Sequence, residues 1–268
     1  MQPPLTKRDQ FRTIIILFLL AFAGCNSETD PVLEETFEQV CKIEPNADIN
    51  IQNSDGAILV YGSNTNEMQV HATKKAYSRA RLNLIAIDVS VGPNSVSINV
   101  KMPAKPSWAL FDRSGTVDCT IVVPATANIS SLRLNAGEVL LDGMRGGTLH
   151  AWLGDGRMIA HNCFADVDLA LQRGNLSLSY DWWEDEKFSL LADVSHGNVW
   201  AFLPSNAAFH LFAETGHGKL GNDFDDPAIA RPTFAKAQEI DMLVRGGSQT
   251  LIKLRTAKGD IKIIEANL

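Results

Sequence analysis

Basic residues are in short supply: 24 Lys and Arg stand against 31 Asp and Glu in 268 residues. They form no patch interleaved with aromatics, so the electrostatic footprint of a nucleic-acid binder is missing. Aromatics are few, at 7% of the chain, and helical spacing of apolar residues is absent from Ile49 onward. No run is apolar for long enough to remain in a bilayer either. Thr13 to Ala23 would cover about 16 Å as a helix at 1.5 Å per residue, against a hydrocarbon core of about 30 Å. The chain is nevertheless 45% hydrophobic. That is enough for a sizeable core in one or two domains, and it excludes disorder for most of the length.

The short apolar run has a different use. Lys7, Arg8 and Arg12 precede it and small residues follow it, which is the layout of a secretory signal. The run ends in Phe22-Ala23-Gly24-Cys25, which resembles the bacterial lipobox, in which small residues precede a cysteine that becomes the new N-terminus and the site of lipid attachment. Phe22 stands where that pattern favours Leu. The resemblance implies a signal peptide over residues 1–24, lipidation of Cys25 and a membrane partner reached through the lipid. Asn26, by likeness to the sorting rule of Gram-negative bacteria, implies the outer membrane or cell surface. Removing the first 24 residues leaves 21 basic and 30 acidic residues, a formal charge of −9. Residues 25–45 are acidic and lack strand alternation, and are expected to be a tether.

From residue 46 the chain repeats on glycine. Gly137, Gly156, Gly174, Gly197 and Gly218 lie 19, 18, 23 and 21 residues apart, and Gly259 and Gly56 fall close to two and four further steps. Five residues before each glycine stand Ile51, Leu132, Ala151, Leu169, Ala192, Ala213 and Leu254, and two after come Ile58, Val139, Met158, Leu176, Val199, Leu220 and Ile261. Positions between these apolar columns are mostly polar. Period-two alternation on both sides of a glycine predicts two short strands joined at a bend, each with one face inward. A repeat of about 20 residues predicts stacked units, since one unit cannot bury its apolar columns alone. The expected fold class is all-β: a single-domain, mainly parallel β-solenoid over 46–268, pectin-lyase-like or related, with about ten coils. A hairpin is predicted from Leu84–Val91 and Ser95–Met102 and a strand at Val117–Val123. A loop-like interruption is expected over 221–247.

Three stretches, INIQNSDGAILVYG, VDCTIVVPATANISSLRLNAGEVLLDG and RGGSQTLIKLRTAKGDIKIIE, resemble the bacterial family of candidate adhesins with a β-solenoid head domain. The likeness spans about residues 45–268, with the family's closing coil matched by Ile252–Ile263. It implies an exported β-solenoid with an adhesive or envelope role, and nothing sharper; the residues themselves favour a non-catalytic interaction module at the envelope or cell surface, with a surface protein or a glycan as partner. The family has no catalytic residues or cofactors to transfer.

Several residue groups carry chemical possibilities of their own. His196 and His217 immediately precede two repeat glycines, so consecutive stacking would bring them close enough to share a metal, although a solvated corner explains the position as well. Asp193 and Glu214 occupy one outward column, and on adjacent coils would stand near the spacing of a retaining glycosidase. That is the alternative reading, a polysaccharide-active hydrolase or lyase. Trp182 and Trp183 lie in the longest regular step and are candidates for binding on an exposed loop, or for folding back over a strand. Asp223, Asp225 and Asp226 do not follow the spacing of a calcium loop. Cys41, Cys119 and Cys163 allow at most one disulfide, with three pairings open.

Overall fold

A computed structural model describes residues 32–104, 115–224, 238–247 and 249–266. The fold is all-β, with one short helix, α1 (Arg79–Leu82), among the described residues. No described helix is long and apolar enough to cross a membrane. The strands are β1 (Leu33–Lys42), β2 (Asp48–Ser63), β3 (Glu67–Ala76), β4 (Ala86–Val91), β5 (Ser95–Lys101), β6 (Thr116–Pro124), β7 (Asn128–Asp142) and β8 (Thr148–His161). They continue with β9 (Asp166–Ser179), β10 (Ser189–His196), β11 (Val199–Pro204), β12 (Phe209–Thr215), β13 (Leu220–Asn222), β14 (Gln238–Val244), β15 (Leu251–Lys258) and β16 (Ile261–Ala266).

The repeat glycines form one column. Gly56 pairs with Gly137, Gly137 with Gly156 and Gly156 with Gly174, all in parallel register. At Gly137 the backbone has φ +132°, and a β-carbon there would lie 1.7 Å from the Gly56 carbonyl oxygen. Both the bend and the contact therefore require glycine. Gly218 lacks the positive φ, but a β-carbon on it would meet the Gly259 carbonyl oxygen at 1.9 Å, so crowding alone excludes a side chain. Along this column the sheet folds into two wings. The first holds the strand segments before each glycine and the second those after it, and the apolar columns point between them. Ile51, Leu132, Ala151, Leu169, Ala192, Ala213 and Leu254 are all buried, as are Ile58, Val139, Met158, Leu176, Val199, Leu220 and Ile261.

Where a corner carbonyl would be left unsatisfied in the core, a buried polar side chain supplies the donor. Thr256 Oγ1 donates to Gly197 O at 3.0 Å, Thr215 Oγ1 to Gly259 O at 2.8 Å, and Asn53 Nδ2 to Val117 O at 2.7 Å. These three residues replace the aliphatic side chains Leu134, Leu153, Leu171 and Val194 that fill the same column elsewhere.

The structure departs from the sequence-based expectation in five places. First, the sheet is mixed: seven glycine-centred units stack in parallel, fewer than the ten expected, and antiparallel strands flank them. Second, residues 33–42 form β1, so the folded region reaches back to residue 32. The acidic run is complementary to β3: Glu35 pairs with Lys74, Glu38 with His71 at 3.1 Å and Glu34 with Lys75 at 3.9 Å, while Leu33, Phe37 and Cys41 pack on the core. Third, the 221–247 interval contains β14, antiparallel to β12. Fourth, the regular alternation is broken in β7, which has one residue, Ser130, more than β2 and β8, and the register shift puts Ile129 opposite Ile49 and Leu149. Fifth, the chain does not stack in sequence order. β15 lies between β10 and β12, and β16 lies between β11 and β13. The predicted hairpin and strand are present as β4–β5 and β6.

Candidate functional site

The inserted final unit alters every pairing argued from consecutive stacking. In the first wing Asp193 lies beside Arg255, and Arg255 beside Glu214. Two strand spacings, about 9.6 Å, separate the two acidic positions. The Arg255 guanidinium fills the gap, donating to Glu214 Oε2 from Nε at 3.0 Å and from Nη2 at 2.9 Å. The structure thus does not bring Asp193 and Glu214 together as an acid–base pair. A sequence signal for this order exists in the column itself, because like charges directly opposite on paired strands repel and an arginine between them does not.

His196 is similarly paired with Lys258, whose corner leads to His217 on the far side. Both histidines are exposed, and no group of three or more His, Cys, Asp or Glu among the described residues is placed to hold a metal. Asp223 ends the second wing, its N–H donating to Ile263 O at 3.0 Å. Asp225, Asp226 and Cys25 lie outside the described residues. Cys41, Cys119 and Cys163 are free thiols, and burial pushes Cys119 and Cys163 up to about 12.

The two adjacent tryptophans have different surroundings. Trp183 is folded into an aromatic cluster with ring centroids 5.6 Å from Tyr180, 5.5 Å from Phe188 and 5.7 Å from Phe209. Its buried Nε1–H has no hydrogen-bond partner among the described residues. The segment after β9 cannot bulge outward with both rings, because Tyr180 and Phe188 at its ends need cover from the core side. Trp182 is 45% exposed and lies over Phe164, 5.8 Å between centroids, and its indole N–H donates to Glu184 Oε1 at 2.7 Å. Glu184 also pairs with Arg145, whose hydrogen bond is the main cause of its lowered pKa.

Charged side chains on the outer faces pair from unit to unit: Glu138 with Arg157 at 2.8 Å, Asp155 with Arg173 at 2.5 Å and Glu214 with Arg255 at 2.9 Å. On the second wing His161 stands between two carboxylates, Nδ1 to Asp142 at 2.9 Å and Nε2 to Asp181 at 3.0 Å. Burial lowers its pKa and the two carboxylates raise it, with a net upward shift.

Sequence reasoning missed a depression in the outer face of the first wing. The extra residue Ser130 in β7 opens it, and Ser131, Arg133, His150, Trp152 and Asp168 line it around about 300 Å³. A second hollow of about 250 Å³ shares Ser131 and Arg133 and continues over Asn50, Gln52 and Asn99. Only the register shift could have revealed it, through an imperfect repeat step in which a serine takes an apolar place.

No family model matches the chain and no curated protein matches it. Solved bacterial structures do resemble it. One is a candidate cell adhesion protein from Clostridium sporogenes, at 14% identity and a TM-score of 0.55, covering 87% of this chain and all of that one. A candidate adhesin from Bacteroides fragilis has 12% identity and a TM-score of 0.26, covering 86% and 97%. A candidate lipid binding protein from Parabacteroides distasonis has 11% identity and a TM-score of 0.28 over the same shares. The first shares the fold.

Proposed function

We propose that the chain is an exported, lipid-anchored interaction module at the outer membrane or cell surface, adhesin-like and non-catalytic, built as a short β-solenoid with antiparallel end strands. Its partners are the membrane, through a lipid on Cys25, and a surface protein or glycan. The distribution of polar groups on the outer faces carries this reading. Several outward charges are consumed in pairs between neighbouring units, as with Arg255 and Glu214, while Arg133, His150, Asp168, Asn50, Gln52 and Asn99 around the hollows of the first wing have no side-chain partner among the described residues. Rigid sheets that present a fixed face suit recognition, because little side-chain or backbone order has to be gained on binding. The lipobox-like residues around Cys25 support the anchor, and the shared fold supports a surface role.

The test has two parts. Metabolic labelling with a fatty acid, followed by membrane fractionation, should find label and membrane association in the native chain and neither in Cys25→Ser; label retained in the variant rules out the anchor. Purified Cys25→Ser protein should be captured saturably by intact bacterial cells, and a linear, non-saturating signal rules out the interaction role.

A further inference from the structure

We propose that the hollowed outer face of the first wing binds a linear glycan lengthwise across the strands, with a carboxylate-bearing sugar held at Arg133. This deepens the surface-interaction reading and rests on it.

The face is made by register. Asn50, Ser131, His150 and Asp168 follow one another across β2, β7, β8 and β9, and Gln52, Arg133 and Trp152 form the parallel row two residues along. Asn99 on β5 lies opposite Gln52 and so extends the second row by one strand. The rows lie about 7 Å apart along the strands, and from β5 to β9 they cover about 19 Å across them. Ser130 makes a bulge at the centre of this strip, so the surface dips where Arg133 and Trp152 sit.

Its side chains are uncommitted. Arg145, Arg157, Arg173 and Arg255 all hold carboxylates, but Arg133 has no ion-pair or hydrogen-bond partner among the described residues. Asn50, Gln52, Asn99, His150 and Asp168 likewise spend no side-chain hydrogen bond on a described protein group. Amides, imidazole and carboxylate set about 5 Å apart both donate and accept, as sugar hydroxyl edges do. The partly buried Trp152 ring, at the edge of the hollow, offers a flat apolar surface for the C–H face of a sugar. A free guanidinium in a concave site prefers a planar carboxylate, which it can grip with two N–H groups.

Other ligand classes fit less well. Every strand in this strip is hydrogen-bonded on both sides, so an extended peptide has no free edge to join. One arginine in a chain with an acidic excess cannot hold a polyphosphate backbone.

Isothermal titration of the purified chain carrying Cys25→Ser, with hexasaccharides of galacturonic acid, mannuronic acid and glucose, tests the proposal. At least one of the two uronate hexamers should bind saturably and more tightly than the neutral glucose hexamer. Trp152→Ala and Arg133→Gln should each weaken that binding at least tenfold with unchanged circular dichroism and melting temperature, and Arg157→Gln, outside the hollow, should leave it unchanged. Absence of binding by both uronate hexamers overturns the proposal, as does binding indifferent to Trp152→Ala and Arg133→Gln. Equal affinity for the glucose hexamer, insensitive to Arg133→Gln, overturns the carboxylate assignment. Saturable capture by cells in the absence of any oligosaccharide binding leaves the surface-interaction role standing and removes the glycan site.

Discussion

Replacing Gly156 by alanine should do far more damage than its single added methyl suggests. Gly156 has φ +134°, and a β-carbon built on it lies 1.8 Å from the Gly137 carbonyl oxygen. The unfavourable backbone conformation costs about 1–3 kcal/mol for a residue with a side chain. The overlap cannot be relieved by a rotamer change, because the obstacle is backbone; forcing units apart costs about another 1–3 kcal/mol, by analogy with overpacked cores. Together about 2–6 kcal/mol is lost from a total of about 5–15 kcal/mol. At about 2–4 °C per kcal/mol for a domain of this size, the melting temperature should fall by about 4–24 °C, with about 12 °C at the centre of the range. Gly143 is the matched control: it also has positive φ, +68°, but the nearest atom to its virtual β-carbon is the Gly62 carbonyl oxygen at 3.8 Å. Gly143→Ala should therefore cost about 1 kcal/mol and about 2–4 °C. Thermal unfolding followed by circular dichroism compares the two. Equal losses would refute the close stacking of the glycine column as the reason for the repeat.

Two further outcomes follow from the side chains around β9. Trp183→Ala should cost about 3 kcal/mol in urea unfolding because three aromatic neighbours lose their contact, whereas Trp182→Ala, half exposed, should cost about 1 kcal/mol; the reverse order would put Trp183 outside the core. The contribution of His161 should depend on pH. Its folded pKa lies above the ordinary 6.5, so its stabilisation is complete below 6.5 and is lost as pH rises through the folded value. Asp181, held below the ordinary 3.8 chiefly by its hydrogen bond to His161, stabilises above 3.8 and loses that effect as pH falls through its folded value. The stability gap between the native chain and His161→Gln should thus be widest between about pH 4 and 6.5 and should shrink by pH 9, and a gap constant from pH 5.5 to 9 would contradict the pairing.

The local architecture was legible in the sequence because it depends on short-range periodicity. Alternation around Gly56, Gly137, Gly156 and Gly174 specified which residues face inward, and the shared fold column confirms it: Ile51, Leu132, Ala151 and Leu169 are buried in register. The β4–β5 hairpin and β6 were legible for the same reason. Charge-rich β1 was not. Its glutamates read as a solvated tether until β3 supplied Lys74, Lys75 and His71 opposite them, and that complementarity spans more than 30 residues of sequence.

By itself, the sequence determined the repeat unit, the inward columns and the need for glycine at each corner, since all three follow from neighbouring φ/ψ and side-chain alternation. The order in which units stack belongs to the tertiary structure. Any two units with apolar columns can pair, so periodicity has no preference between placing β12 or β15 next to β10, and the charges of Asp193, Arg255 and Glu214 are the one local bias toward the observed order. The antiparallel strand β14 covers the far side of β12, and β15 enters the remaining slot, taking Arg255 between Asp193 and Glu214. The hollow on the first wing has the same origin: one residue too many in β7 is a small irregularity in the sequence, and it becomes a surface only when β5, β2, β8 and β9 are laid beside it.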